Sequence, residues 1–156
     1  MFLRRRQEPA FERPAPPASI HLEAIGYVRN GVARPRPKGW EKVESRIELL
    51  PIHAARIEGI AGYSHVIIVF YMDIAAAAPD KPETLTLASG HTYGILATRS
   101  QLRPNHLGVS AVPLIGVEGG MLRVRGLDAV NDTPILDIKP YLPEYDAFPG
   151  ATVPPA

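Results

Sequence analysis

The sequence predicts a mainly β fold: one small single-domain barrel of about seven short strands, with one or two short helices. Three observations carry that expectation. Short apolar or alternating runs recur at close spacing between Gly, Pro and Asn turn signals. No strand-like run alternates regularly with a helix-length amphipathic pattern, so a parallel α/β sheet is not indicated. The 156-residue length suits one domain with a core of its own.

Residues 1–18 hold Pro9, Pro14, Pro16 and Pro17 and read as an extended, flexible arm. The folded domain is expected over 19–146, followed by a Pro-rich tail over 147–156. Ile20 to Val28 reads as the first strand. Gly31 to Gly39, with two prolines and three basic residues, reads as a loop. Val43, Ser45, Ile47 and Leu49 alternate with charged residues, the period of a half-buried strand. Pro51 can open a short helix, because its missing N–H is an orphan at that position anyway. Ile52, Ala55, Ile57 and Ile60 would form the apolar side of that helix. The run Val66 to Tyr71 is continuously apolar and β-branched, which predicts a central strand buried on both faces. Asp73 to Ala88 reads as a loop or a single helical turn. Thr92–Thr98, Val109–Val117, Met121–Leu127 and Ile135–Ile138 complete the strands, with Gly119-Gly120 as a turn.

Composition narrows the chemistry. The chain lacks cysteine, which removes disulfides, thiolate zinc sites and cysteine nucleophiles together. The five histidines show no metal-ligand spacing, so no metal is expected. Formal net charge is only +1, so RNA binding has to come from a local basic patch. No apolar run follows Arg4-Arg5-Arg6, so neither a signal peptide nor a membrane span is read, and the expected address is the cytoplasm. There is no Gly-x-Gly-x-x-Gly after a strand, no P-loop, and no second glycine after Ser110 to make a nucleophile elbow.

Two stretches concentrate ionisable groups among small residues and prolines: Thr98 to Ser110, and Leu127 to Tyr141. Arg99 and Arg103 lie four residues apart across a turn stiffened by Pro104. Their planar donor forks suit a carboxylate or phosphate, and the alternative is a solvated pair or an ion pair with Asp128 or Asp137. Asn105 can cap its own turn or meet a ligand amide or purine edge. Gly108 points to a close backbone approach or a sharp turn. Ser110 can simply satisfy a backbone group. Asp137, between Leu136 and Ile138, needs a partner or an exposed face. It can bind a ribose hydroxyl or an amino group, or pair with an arginine. Lys139 follows on the same strand face and can meet a phosphate or end in solvent. Tyr141 can stack on a base or pack at a rim. Arg34, Arg36 and Lys38 precede Trp40, a combination that suits RNA by phosphate contact and stacking, or a solvated loop.

At these stretches the chain resembles the TrmO/YaeB family of S-adenosylmethionine-binding β-barrel proteins. The family patterns ATRSxxRPNPIGxS and LDxxDGTPVxDIKPY are matched by Ala97–Ser110 and Leu127–Tyr141. Ile25 to Asn30 resembles the family's IGxIRS opening, and Tyr63-Ser64-His65 its entry to the buried strand. Three departures from the family's sequence matter. His106 stands for a proline, Asn131-Asp132 for Asp-Gly, and Asp73 for a histidine.

The resemblance implies N6 methylation of threonylcarbamoyladenosine beside the tRNA anticodon, with S-adenosylmethionine as cofactor. It also implies a homodimer with the site near its interface. Arg99, Ser100, Arg103, Asn105, Ser110, Asp128 and Thr133 are then expected at the cofactor. Asp73, Asp137 and Lys139 are expected at the reaction, and Arg36, Lys38 and Tyr141 at the RNA. Methyl transfer is mainly a positioning problem. Arg99 or Arg103 would hold the methionine carboxylate, Asp128 or Asp137 would supply negative potential at the sulfonium, and Asp73 or solvent would take the acceptor proton. The departures also admit a methyltransferase on another small molecule or RNA, or a non-catalytic sensor or binding module.

Overall fold

The computed structural model describes residues 12–154. Eight strands follow in chain order: β1 (Gly26–Arg29), β2 (Glu44–Leu49), β3 (His65–Tyr71), β4 (Thr84–Thr86), β5 (Thr92–Gly94), β6 (Leu107–Glu118), β7 (Met121–Arg125) and β8 (Pro134–Pro140). Six of them close a barrel in the order β1-β2-β7-β6-β3-β8, and β4 and β5 form a separate hairpin. Every pairing is antiparallel. Two short helices, α1 (Asp73–Ala76) and α2 (Pro143–Asp146), and three 3-10 turns join them.

Inward side chains make the core: Val28, Ile47, Val66, Ile68, Leu122, Val124, Leu127 and Ile135 have no measurable exposure. Burying each contributes about 1.5–3 kcal/mol, which outweighs any single surface contact. β6 and β7 are joined by Gly119-Gly120, with Gly119 at φ 56, a backbone state open to glycine.

The first strand is shorter than its apolar pattern predicts. Gly26 is the first residue of β1 paired with β2, opposite Leu49, and Ile20 and Leu22 are exposed. The reason is the partner: β2 ends at Leu49 and the chain turns at Pro51. The segment after Pro51 is a 3-10 helix over Pro51–Ile57, not an α-helix. Its three-residue period turns Ala54 and Ile57 inward and leaves Ile52 exposed. The apolar run in β3 is not buried on both faces. Val66, Ile68 and Phe70 face the core, while Ile67, Val69 and Tyr71 are half-buried on the outside. A barrel has one packed interior, so even an unbroken apolar strand is divided between two environments. The expected strand at Thr92–Thr98 stops at Gly94 and becomes a 3-10 turn over Ile95–Ala97.

Antiparallel pairing gathers the end of β1, the start of β2, the end of β3, the start of β6, the end of β7 and the start of β8 at one mouth of the barrel. The loops over 30–43, 72–106 and 126–133 all open there. β6 changes partner midway. Its Leu107–Pro113 half pairs with β3, and its ladder with β7 begins only at Leu114. A gap therefore separates the first half of β6 from β7 and the loop that follows it.

The expected arm over 1–18 falls partly outside the described residues, and Arg4, Arg5 and Arg6 lie wholly outside them. Among the described residues no helix is long and apolar enough to cross a membrane.

Candidate functional site

A cavity of about 930 Å³ occupies the mouth and the gap beside β6. Three loops and α1 supply its polar rim: Arg36 from the first loop, Asp73 from α1, Arg99, Gln101 and Arg103 from the segment before β6, and Asp128 and Thr133 from the loop before β8. Phe70, Met72, Leu107, Val109, Val130 and Trp40 give it an apolar lining.

Four of the five charged groups are held by local chemistry. Arg99 Nη2 donates to the Val109 carbonyl at 2.9 Å, on the side of β6 that faces the gap. Arg103 Nη1 donates to the Thr98 carbonyl at 3.4 Å, so most of its donor fork is left for a ligand. Ser110 donates its hydroxyl to Asp128, tying β6 to the loop before β8. Neither arginine makes an ion pair with Asp128 or Asp137 among the described residues. Arg36 lies over the Trp40 ring, 5.0 Å from its centroid, and donates to the Gly39 carbonyl at 2.8 Å. The Trp40 indole donates to the Arg36 carbonyl at 2.9 Å, closing the loop on itself. Thr133 is buried, and its backbone pairs with Val28 and Val130.

Gly108 has a specific reason to be glycine. A Cβ there would lie 2.8 Å from Phe70 Cδ2 and closer still to other ring atoms. The expected close approach is thus that of the Phe70 ring, which closes the cavity floor.

His106 is buried, at φ 50. Its Nδ1 lies 3.0 Å from the Gln101 carbonyl and its Nε2 lies 3.1 Å from Lys81 Nζ. A carbonyl only accepts, so Nδ1 carries the hydrogen and Nε2 accepts from the ammonium. Lys81 also donates to the Ala76 carbonyl at 3.0 Å, and Met72 N–H donates to the His106 carbonyl at 2.8 Å. One histidine therefore links α1, the end of β3 and the arginine-bearing segment. No local pattern signals this: Lys81 and His106 are 25 residues apart.

Other expected residues stand away from the cavity. Ser100 accepts from Leu102 N–H at 3.1 Å and shapes its own turn. Asn105 and Lys38 are exposed, and Asn105 makes no side-chain hydrogen bond among the described residues. Asp137 pairs with Lys139 at 2.6 Å on the outer side of β8, not with an arginine. That hydrogen bond and the adjacent negative charge hold the Lys139 ammonium above the ordinary lysine range. Tyr141 lies past the far end of β8, with its ring 6.1 Å from that of His65. The structure thus brings Arg36, Asp73, Arg99, Arg103, Asp128 and Thr133 together. It places Ser110 beside them through Asp128, and it leaves Asp137, Lys139 and Tyr141 on another face of the chain.

Residues 28–147 match the model of the tRNA-methyltransferase O N-terminal domain. A probable S-adenosyl-L-methionine-binding protein of Pyrococcus abyssi is 31% identical over 135 residues, covering 83% of this chain and 72% of that protein. The human tRNA (adenine(37)-N6)-methyltransferase is 33% identical over 136 residues, covering 81% of this chain and 30% of that one. The crystal structure of TrmO from Pseudomonas aeruginosa superposes with a TM-score of 0.68 at 33% identity, over 86% of this chain and 61% of that one. The chain thus spans about three fifths of the crystallised relative and under a third of the human one. Barrel, motif order and the matched span together establish that this chain belongs to the tRNA-methyltransferase O N-terminal domain family.

Proposed function

We propose that this chain is an S-adenosylmethionine-dependent tRNA methyltransferase, acting at N6 of the threonylcarbamoyladenosine beside the anticodon. The observation that carries the reading is the mixed charge of one cavity: three guanidinium groups and two carboxylates surround an apolar floor. S-adenosylmethionine combines a carboxylate, two cationic centres and a flat adenine, so the donor set fits it. When bound, it supplies an electrophilic methyl group. Arg103, with Arg99 beside it, binds the carboxylate through charge-assisted hydrogen bonds. Asp128 provides negative potential toward a cation and is oriented by Ser110. Asp73 is exposed at the rim, where it can accept the proton released from the acceptor nitrogen. Arg36 and Trp40 present charge and an aromatic edge to the incoming nucleotide. The name of the archaeal relative supports the cofactor, and that of the human relative supports methylation at N6 of adenine 37 in tRNA.

Ser100, Asn105, Asp137, Lys139, Lys38 and Tyr141 keep their expected roles in this proposal only through a second subunit or bound RNA. A homodimer is part of the reading. The outer surface of β6 presents Leu107 and Val109, beside half-buried Ile67 and Val69 of β3, and such apolar area suits a second copy. The setting is the cytoplasm, with the tRNA.

The test is incubation with methyl-labelled S-adenosylmethionine and tRNA carrying threonylcarbamoyladenosine, followed by nucleoside analysis. Label on that nucleoside is expected. Cofactor binding without label overturns the substrate; absence of both overturns the reading.

A further inference from the structure

A second cavity, about 570 Å³, opens at the same end of the barrel, on the outer side of β1, β2 and β7. Its wall carries a row of arginines across three neighbouring strands. Arg29 of β1 is the direct partner of Arg46 of β2, and Arg46 is the direct partner of Arg123 of β7. Like charges placed opposite each other in a ladder are destabilising. Two of the four arginines on this face are neutralised by structure. Arg29 pairs with Glu48 at 3.0 Å and with Asp132, and Arg125 pairs with Glu44 at 2.7 Å. Arg46 and Arg123 are exposed, and among the described residues neither has an ion pair or a side-chain hydrogen bond. The carboxylates of the face are occupied by Arg29 and Arg125, and the two facing guanidiniums of Arg46 and Arg123 are left without a hydrogen-bonded partner among the described residues, Arg123 adding only its charge near Glu44.

The two cavities share a thin wall. Asn30 donates to the Ser45 hydroxyl and to the Ala129 carbonyl, each at 2.9 Å. Asn30 and Ser45 line the second cavity and Ala129 lines the first. A polymer whose one unit enters the first cavity can therefore pass over the second.

We infer that Arg46 and Arg123 form a phosphate clamp that holds the RNA backbone next to the nucleotide placed in the first cavity. Guanidinium pairs suit phosphodiesters because each presents a bidentate fork and keeps its charge at every working pH. The clamp positions RNA and reads no sequence. It rests on the tRNA reading above and adds the surface that receives the strand flanking the acceptor.

The experiment compares wild type with Arg46→Gln/Arg123→Gln in three measurements: tRNA affinity across salt concentrations, S-adenosylmethionine affinity by calorimetry, and the thermal midpoint. Expected for the variant are tRNA binding weakened roughly tenfold at moderate salt and a log–log salt slope shallower by about 1.4–1.8, two phosphate contacts' worth. Cofactor affinity stays unchanged, and the midpoint is equal or higher because the like-charge pair is gone. Arg56→Gln, in the 3-10 helix at the opposite end, controls for bulk charge and leaves the slope near wild type. Unchanged tRNA affinity and slope in the double variant overturn the clamp, and a lowered midpoint alongside them marks the pair as structural. A wild type that binds no tRNA overturns both the clamp and the substrate reading. Inorganic phosphate titrated at matched ionic strength separates the sources: phosphate binding lost in the double variant while tRNA affinity holds would assign the pair to a free anion, against the proposal.

Discussion

Replacing Gly108 by alanine adds one methyl group where the Phe70 ring already lies. Its backbone φ is not in the left-handed region, so alanine fits the chain itself. A glycine-to-alanine change inside a strand then gains roughly 0.5–1 kcal/mol from the unfolded state. Against that gain stands a Cβ 2.8 Å from Phe70 Cδ2 and nearer to the ring tip, beside a side chain only 3% exposed. Accommodating such an overlap costs about 1–3 kcal/mol, and more if the ring leaves the core. The net expectation is a loss of about 1–2 kcal/mol, read as a midpoint lowered by about 2–8 °C for a domain of this size. Because Phe70 closes the cavity floor, cofactor affinity should fall as well. The assay is thermal unfolding of Gly108→Ala, Phe70→Leu and the double variant. Shrinking the ring should recover at least about 1 kcal/mol of the alanine penalty, since the two positions are in contact. A midpoint at or above wild type, or strict additivity, refutes the steric argument.

Arg103→Ala should weaken S-adenosylmethionine binding by roughly 10–100-fold, the cost of a lost charge-assisted contact, while the midpoint moves little; calorimetry and a melting curve read both. His106→Pro should destabilise by about 3 kcal/mol in urea unfolding, because proline cannot reach φ 50 and deletes both ring contacts and the N–H that donates to the Arg103 carbonyl. Glu44 has its carboxyl lowered from 4.5 by the Arg125 hydrogen bond and charge, so the stability it contributes is present above that value and fades as pH falls below it. Glu44→Gln should therefore flatten the acid side of a plot of midpoint against pH and, above pH 6, about 1.5 units clear of the reference value, run parallel to wild type at a slightly lower midpoint. Asp132 sits at φ 69, so Asp132→Val should lower the midpoint, whereas Asp132→Gly should not, beyond the small loss of its exposed contact to Arg29.

What could be read in advance was periodic or punctuated. The alternation Ser45-Ile47 against Glu44-Arg46-Glu48 predicted β2, and Gly119-Gly120 predicted the hairpin. The motif containing Arg99 and Arg103 predicted a place on the cavity rim. The barrel was predicted, but which faces of its strands are packed was not legible. The unbroken β3 run looks the same in sequence whether one face or two are packed, and only the barrel leaves Ile67 and Val69 half outside. The ladder that would have extended β1 back to Ile20 depended on where β2 stops, 29 positions along from Ile20 at Leu49. Motif proximity also misled. Thr133 and Asp137 are four residues apart, but β8 carries the chain out of the mouth, so one lines the cavity and the other does not. The Lys81–His106 contact has no local signature, since it arises from where α1 and the arginine-bearing segment come together.

The change of partner along β6 makes this region the barrel's seam. Between Leu107 and Pro113 the missing β7 rungs are replaced by two side-chain contacts, Arg99 to Val109 and Ser110 to Asp128. Amides along that half should therefore exchange with solvent sooner than those of β2 and β7, which pair along their length. A ligand bridging Arg103 and Asp128 would serve as the absent rungs and lend the fold about 2.7 kcal/mol at a hundredfold excess over its Kd. Opening and filling of the site would then be the same event as unzipping and zipping the barrel.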